Sequence, residues 1–399
     1  MTSRRAVLGG LAVGGLGALA GCAPASTTPS GAPTPPASAT NPSASTTSAS
    51  ATGAPTTSAP ASPSGSPGGA AKLSLEAQVG QLIMVGHDRP TLDDATRELL
   101  TTHQVGSLLL LGNSLGSSDG IRAMTMELQA LDLPAGIIVA VDQEGGAVQR
   151  LNGAGFSRIP NAVTQSTMAD LQAAWVRWGA ELANAGVRYN LAPVADVVPA
   201  DNLARNAPIG QLQRYYGTTA AQAIPALRAV VSGLATAGVA TSLKHFPGLG
   251  RVSVNTDFGV AVDTVTTGSD AELSPFVKAI AAGASSVMVS SAIYQQIDPD
   301  QQGVFSSRII TGILRERLGF QGVVIADDLG AAVAVKDVSP GMRVLRFLRA
   351  GGDLAITADP ALTREMVGAV LEAARTDPAF AAEVQRKAGR VLQLKASVG

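Results

Sequence analysis

Two carboxylates stand side by side at the end of an apolar run, Gly322-Val-Val-Ile-Ala-Asp-Asp-Leu329. Four apolar residues in a row read as a buried strand, which places Asp327 and Asp328 at its exit. Adjacent strand residues point to opposite sides, so one carboxylate faces inward and the other faces a loop or a helix cap. Judged from this strand alone, a pair of capping acids is the competing explanation. Val141-Asp-Gln-Glu-Gly-Gly-Ala-Val-Gln-Arg150 puts Asp142 at a second strand end, with Arg150 beyond a tight Gly-Gly turn. Asp and Arg both make paired hydrogen bonds of the kind that neighbouring hydroxyls satisfy, although a structural ion pair would use the same residues. Leu243-Lys-His-Phe-Pro-Gly-Leu-Gly250 ends a third run with Lys244, His245 and a rigid Pro-Gly turn. The loop beyond it, Asn255-Thr-Asp-Phe-Gly259, carries a further carboxylate, Asp257.

These residues need a scaffold that brings strand ends together. Short apolar runs at 105–111, 136–142, 189–196, 240–245, 286–291, 322–327 and 353–357 alternate with amphipathic stretches such as 170–185, 219–237, 306–318 and 362–375. Helix-length spacers between strands imply parallel pairing, either in a closed barrel or in an open doubly wound sheet. Asp142, Asp196, Lys244-His245, Ser290-Ser291 and Asp327 each close a different run. A barrel gathers such ends on one face, whereas an open sheet collects ligand groups mainly where its strand order reverses. No glycine-rich phosphate fingerprint follows the first run. The pattern therefore predicts a single-domain α/β fold, a (β/α) TIM-type barrel of seven or eight strands over residues 72–399.

Composition narrows the partners. No Asp, Glu, Lys or Arg occurs from Ala6 to Ala71, so all 30 acidic residues and all but two of the 29 basic ones lie in the barrel region. A balance so near neutrality, with no basic stripe, argues against nucleic acid as a partner. One cysteine, Cys22, excludes a disulfide framework, and three histidines (His87, His103 and His245) are too few for a multi-histidine metal centre. No cofactor or metal is expected.

The first 21 residues read as a signal peptide: a charged start with Arg4-Arg5, a short Gly/Ala/Leu/Val run, then Leu19-Ala-Gly-Cys22. That ending resembles the bacterial lipobox, in which the cysteine is lipidated, and the arginine pair resembles a twin-arginine export signal. The protein is then expected to be exported and held to the outer face of the cell membrane through Cys22 alone. Residues 23–70 are almost entirely Ala, Ser, Thr, Pro and Gly, a composition that offers no large apolar groups to offset ordering entropy. Together with Cys22 and Ala71 they are expected to form a disordered spacer, 22–71.

Four segments, in this order and spacing, resemble the family 3 glycoside hydrolases, specifically the single-barrel β-N-acetylglucosaminidases of bacterial wall turnover. They are Asp142-Gln-Glu-Gly-Gly with Gln149-Arg150, Asn190-Leu-Ala-Pro-Val-Ala-Asp196, Lys244-His-Phe-Pro-Gly248, and Asp327-Asp328. The resemblance covers nearly all of 73–399. It implies a retaining double displacement on terminal β-linked N-acetylglucosamine of peptidoglycan fragments. Asp327 corresponds to the nucleophile, and Asp142, Arg150, Arg214, Lys244 and His245 to groups that hold the sugar. Arg214 lies in Ile209-Gly-Gln-Leu-Gln-Arg-Tyr-Tyr-Gly217, where the family carries a shorter Gly-Asp-Arg segment.

The acid/base differs. The family carries Asp-Ser-His after the Lys-His-Phe-Pro-Gly loop, and this chain has Asn255-Thr256-Asp257. His87 and His103 precede the first apolar run assigned above, and His245 already has a binding role, so Asp257 is the candidate. Burial would have to raise its carboxyl for it to donate a proton at neutral pH. The pair would stand ~5–5.5 Å apart in the closed site, with Lys244 keeping Asp327 ionised. The missing histidine also admits a non-catalytic sugar- or wall-binding lipoprotein, and a β-glycosidase of other sugar specificity is the remaining alternative.

Overall fold

The computed structural model describes residues 69–112 and 116–398. Arg4, Arg5, Cys22 and the Ala/Ser/Thr/Pro stretch lie outside these residues, apart from its last positions. Ala70 is already packed, 1% exposed, with its carbonyl accepting from Gln78 Nε2 at 3.1 Å. The barrel's packed chain thus begins slightly ahead of residue 72.

Eight parallel strands form the barrel: β1 Ile83–His87, β2 Ser107–Leu110, β3 Ile138–Val141, β4 Tyr189–Asn190, β5 Ala240–Phe246, β6 Ser286–Val289, β7 Val323–Ala326 and β8 Ala355–Thr357. They neighbour one another in chain order, and β8 pairs with β1. Between β7 and β8 the ring is completed by the Ile325–Leu354 bridge, with Ala326 N–H donating to Leu354 O at 3.0 Å. The alternating spacing predicted this architecture, including helices at Leu171–Asn184, Ala220–Thr236 and Thr363–Thr376.

The sequence reading missed β1. It begins only three residues after the helix Leu75–Gly80, and the apolar residues Val79, Leu82 and Ile83 run on across Gly80, so the strand merges with the helical pattern. His87 consequently ends a barrel strand instead of preceding one; its ring pairs with Thr91 O and Thr96 Oγ1. The run at 189–196 pairs regularly only over Tyr189–Asn190, with a single further bridge from Val194 to Lys244. The helix expected at 306–318 runs from Arg308 to Arg317 with π-type winding.

Both faces of the strands are apolar, as parallel strands under helices require. Met84, Leu109, Ile138, Ala140, Tyr189, Ala240, Met288, Val323, Ile325 and Ile356 fill the barrel interior. Their strand neighbours, among them Val85, Leu108, Leu110, Val139, Val141, Val324 and Ala326, pack outward against the helices. This two-residue alternation sets what lies beyond each strand. Asp142 continues the inward series of Ile138 and Ala140, and Asp327 that of Val323 and Ile325.

Candidate active site

The C-terminal ends of the strands surround a cavity of about 490 Å³. Asp142, Arg150, Arg214, Lys244, His245, Asp257 and Asp327 all line it. Residues up to 185 positions apart in sequence are thereby gathered in one place by the barrel.

Glu144, two residues past Asp142, is the hub of the charged wall, and the sequence reading did not single it out. Its carboxylate accepts two hydrogen bonds from Arg214, Nη2 to Oε1 at 2.7 Å and Nε to Oε2 at 2.8 Å. Lys244 Nζ lies 2.6 Å from Glu144 Oε1 and 2.6 Å from Asp142 Oδ1. Burial alone would raise the Glu144 carboxyl; the charges of Arg214 and Lys244 outweigh it and hold the group at about 2. Arg214 is further tied by Nη1 to Pro208 O at 2.8 Å. The longer segment around Arg214 thus still delivers it to the cavity. A signal for Glu144 existed: strand parity puts residues 142 and 144 on one side.

Glu144 sits in a hairpin, Gln143–Gly145 paired with Val148–Gln149. Gly145 has φ 97°, and a side chain there would meet Pro160 O at 2.3 Å, so this turn accepts only glycine. The hairpin is sewn down by amides. Gln143 exchanges hydrogen bonds with the Leu151 backbone at 2.7 and 3.0 Å, and Asn190 with the Gln143 backbone at 3.0 Å each way. These bonds hold Asp142 and Arg150 at the cavity and Glu144 just behind it, against Arg214 and Lys244.

Lys244 and His245 are consecutive, yet both reach the cavity. The β5–β6 register shifts between Leu243 and Phe246, an irregularity that re-aims side chains at a barrel rim. Asp196 then fixes the histidine: its Oδ1 accepts the His245 N–H at 3.1 Å and the Leu249 N–H at 2.7 Å, and its Oδ2 lies 2.7 Å from His245 Nδ1. A carboxylate can only accept here, so Nδ1 carries the proton and Nε2 is the edge turned to the cavity. Asp196 ended one of the runs in the sequence, but its role as the histidine's anchor depends on a contact across 49 positions.

The adjacent carboxylates have opposite fates. Asp328 accepts backbone N–H groups from Gly330, Ala331 and Ala358, each at 2.8 Å, and serves as a turn clamp. Asp327 accepts one, from Asp328 at 2.9 Å. Burial pushes the Asp327 carboxyl up to about 6; the neighbouring His245 ring works in the opposite sense, and Asp257 adds to the rise. The sequence had assigned the stabilising cation to Lys244. That expectation is corrected, because Lys244 is engaged by Asp142 and Glu144, and His245 is the basic group that acts on Asp327.

Asp257 also lines the cavity, but its residue is exposed rather than buried. The sequence reading expected this side chain to be buried; it is open to solvent. Its backbone is anchored, with Asp257 N–H donating to Asn255 Oδ1 at 3.0 Å and Asp257 O accepting from Val333 N–H at 3.3 Å.

Comparison with known proteins fits this geometry. Residues 74–394 match the glycosyl hydrolase family 3 N-terminal domain. A β-hexosaminidase of Xanthomonas oryzae pv. oryzae (strain KACC10331 / KXO85) is 31% identical over 308 residues, covering 72% of this chain and 87% of that protein. One from Xylella fastidiosa (strain 9a5c) is 33% identical over 312 residues, with the same coverage of 72% and 87%. The crystal structure of a β-N-acetylhexosaminidase from Beutenbergia cavernae DSM 12333 superposes with a TM-score of 0.79 at 45% identity, covering 82% of this chain and 99% of that one.

Proposed function

Because the chain belongs to glycoside hydrolase family 3 and is a glycosidase of the β-N-acetylhexosaminidase type, we propose that it removes terminal β-linked N-acetylglucosamine with retention. The observation that carries this reading is the contrast between Asp327 and Asp328. One carboxylate is saturated by three backbone donors, while the other keeps its acceptor capacity at the cavity wall beside His245.

The residues suggest the following sequence of events. Asp142, Lys244, Arg214 and Arg150 form a charged wall for the hydroxyls and acetamide of the terminal sugar, with Glu144 orienting Lys244 and Arg214 from behind. Asp327 attacks the anomeric carbon to give a glycosyl ester, while Asp257 gives its proton to the departing oxygen. Asp257 then takes a proton from water, which attacks the anomeric carbon and frees Asp327. A bound sugar would cover Asp257 and exclude bulk water from it.

Asp327→Asn is expected to lower kcat on an aryl β-N-acetylglucosaminide by about 10,000-fold, as loss of a nucleophile does elsewhere. Full hydrolysis by that variant would sink the nucleophile assignment. Asp257→Ala is expected to lose most activity and regain it with azide, yielding the β-glycosyl azide; unchanged rates without azide would remove Asp257 from the mechanism.

We also propose, from the leader segment, that the substrate is met outside the membrane, on wall fragments, with the enzyme anchored through Cys22. Labelled palmitate should enter the wild-type protein and not the Cys22→Ala variant. Equal labelling of both would discard the anchor.

A further inference from the structure

The loop that carries Asp257 is pinned, yet it leaves apolar groups in water. Phe258 and Gly259 donate their N–H groups to Asn255 O at 3.0 and 3.1 Å, and Ala334 N–H donates to Thr256 O at 3.2 Å. At the loop's base the Arg251 guanidinium reaches Glu272 Oε1 at 2.8 Å and Thr266 Oγ1 at 3.2 Å. Held this way, Phe258 remains 69% exposed, more than any other large hydrophobic side chain among the described residues. Val254, Val260, Val262 and Val265 are exposed in the same stretch. Single exposed apolar residues need no explanation, but a run of them beside a cavity marks a contact surface. Leu212, on the segment that carries Arg214, is 39% exposed, and among the exposed large hydrophobic side chains of the described residues only Phe258 and Leu212 line the cavity itself.

The position of Phe258 in the chain indicates what it would touch. A proton donor must reach the glycosidic oxygen, so it stands between the bound sugar and the group that departs. Phe258, the next residue on that pinned loop, lines the same cavity. A pyranose ring has an apolar face of C–H bonds, and an aromatic face carries the negative quadrupole that attracts them. We propose that Phe258, together with Leu212, is the platform for a carbohydrate leaving group, and so makes the enzyme prefer to cleave sugar from sugar. This rests on Asp257 as the proton donor.

The test compares two substrates across Phe258 variants of the full enzyme. One is the β-1,4-linked disaccharide of N-acetylglucosamine, whose leaving group is a pyranose. The other is β-N-acetylglucosaminyl fluoride, whose leaving group has no ring and departs without protonation. In Phe258→Ala the ratio of kcat/KM for disaccharide over fluoride should fall about tenfold, mostly through KM for the disaccharide. Phe258→Trp should restore the ratio. A ratio that does not move overturns the platform, including the case in which both rates fall together because the loop is damaged. Failure of the wild-type enzyme to release fluoride overturns the nucleophile assignment and this proposal with it.

Discussion

The two ends of the barrel each hold a cluster of buried charge, and the clusters are built to different rules. At the foot, Asp353 is fully buried between Arg315 and Arg390, with Arg390 Nη1 at 2.9 Å and the Val324 N–H at 2.8 Å. Nearby, the C-terminal helix Pro378–Ala396 sends Lys387 to Gly352 O at 2.9 Å. Lys395 reaches Gly106 O and Gly136 O at 3.2 and 2.7 Å, just below β2 and β3, and Gln81 Oε1 at 2.9 Å. Val391 and Leu394 of the same helix join the barrel interior. Carboxylates and ammonium groups at the foot therefore find partners within the protein, and the cluster closes the barrel. At the mouth, Glu144 is saturated in the same manner, but Asp327 has a single backbone donor and a raised carboxyl. Charge that is fully paired supports a fold; charge left short of partners is available to a substrate.

Three substitutions would break or sharpen this contrast. Asp353→Ala should cost the most stability, about 3–5 kcal/mol, because it removes a fully buried carboxylate from between two partly buried arginines. Thermal unfolding should shift down by roughly 5–10 °C, with kcat per folded molecule unchanged. A variant that melts like the wild type would show that the foot cluster bears no load.

Glu144→Gln should act in the opposite proportion. It leaves Arg214 and Lys244 without the anion that orients them, so kcat/KM should fall on the order of 100-fold. Its melting point should drop less than that of Asp353→Ala, since Asp142 still holds Lys244. Activity within a few-fold of wild type would demote Glu144 to a purely structural group.

The smallest effect is a gain. Asp327 titrates at about 6 when folded, against an ordinary value near 4 for an unfolded aspartate, so the folded protein binds its proton more tightly. Its contribution to stability is complete below about pH 4 and is lost as pH rises through 6. At pH 7 Asp327→Asn should therefore be more stable than wild type by about 2–3 kcal/mol, with the two curves meeting near pH 4. The same titration predicts that wild-type kcat/KM falls as pH drops through about 6. Equal stability of the two proteins from pH 4 to 7 would mean that Asp327 is not strained.

Much of this was written locally in the chain. Apolar runs separated by helix-length spacers specified parallel strands, and polar residues at the run ends specified a shared mouth, because strand periodicity and crossover length are short-range properties. Six of the seven site residues, Asp142, Arg150, Lys244, His245, Asp257 and Asp327, were legible at strand ends or in the loops just past them, and Arg214 only through the family resemblance. β1 was not, since the apolar residues of the short helix before it run on into the strand across Gly80. Which of two adjacent aspartates faces inward depended on the phase of β7 against its neighbours. Three groups were decided only by tertiary structure: Glu144 as the partner of Arg214 across 70 positions, Asp196 as the anchor of His245, and His245 in place of Lys244 beside Asp327. A residue's type and spacing are properties of the chain, but its pKa and its partner are set by whatever the fold packs against it.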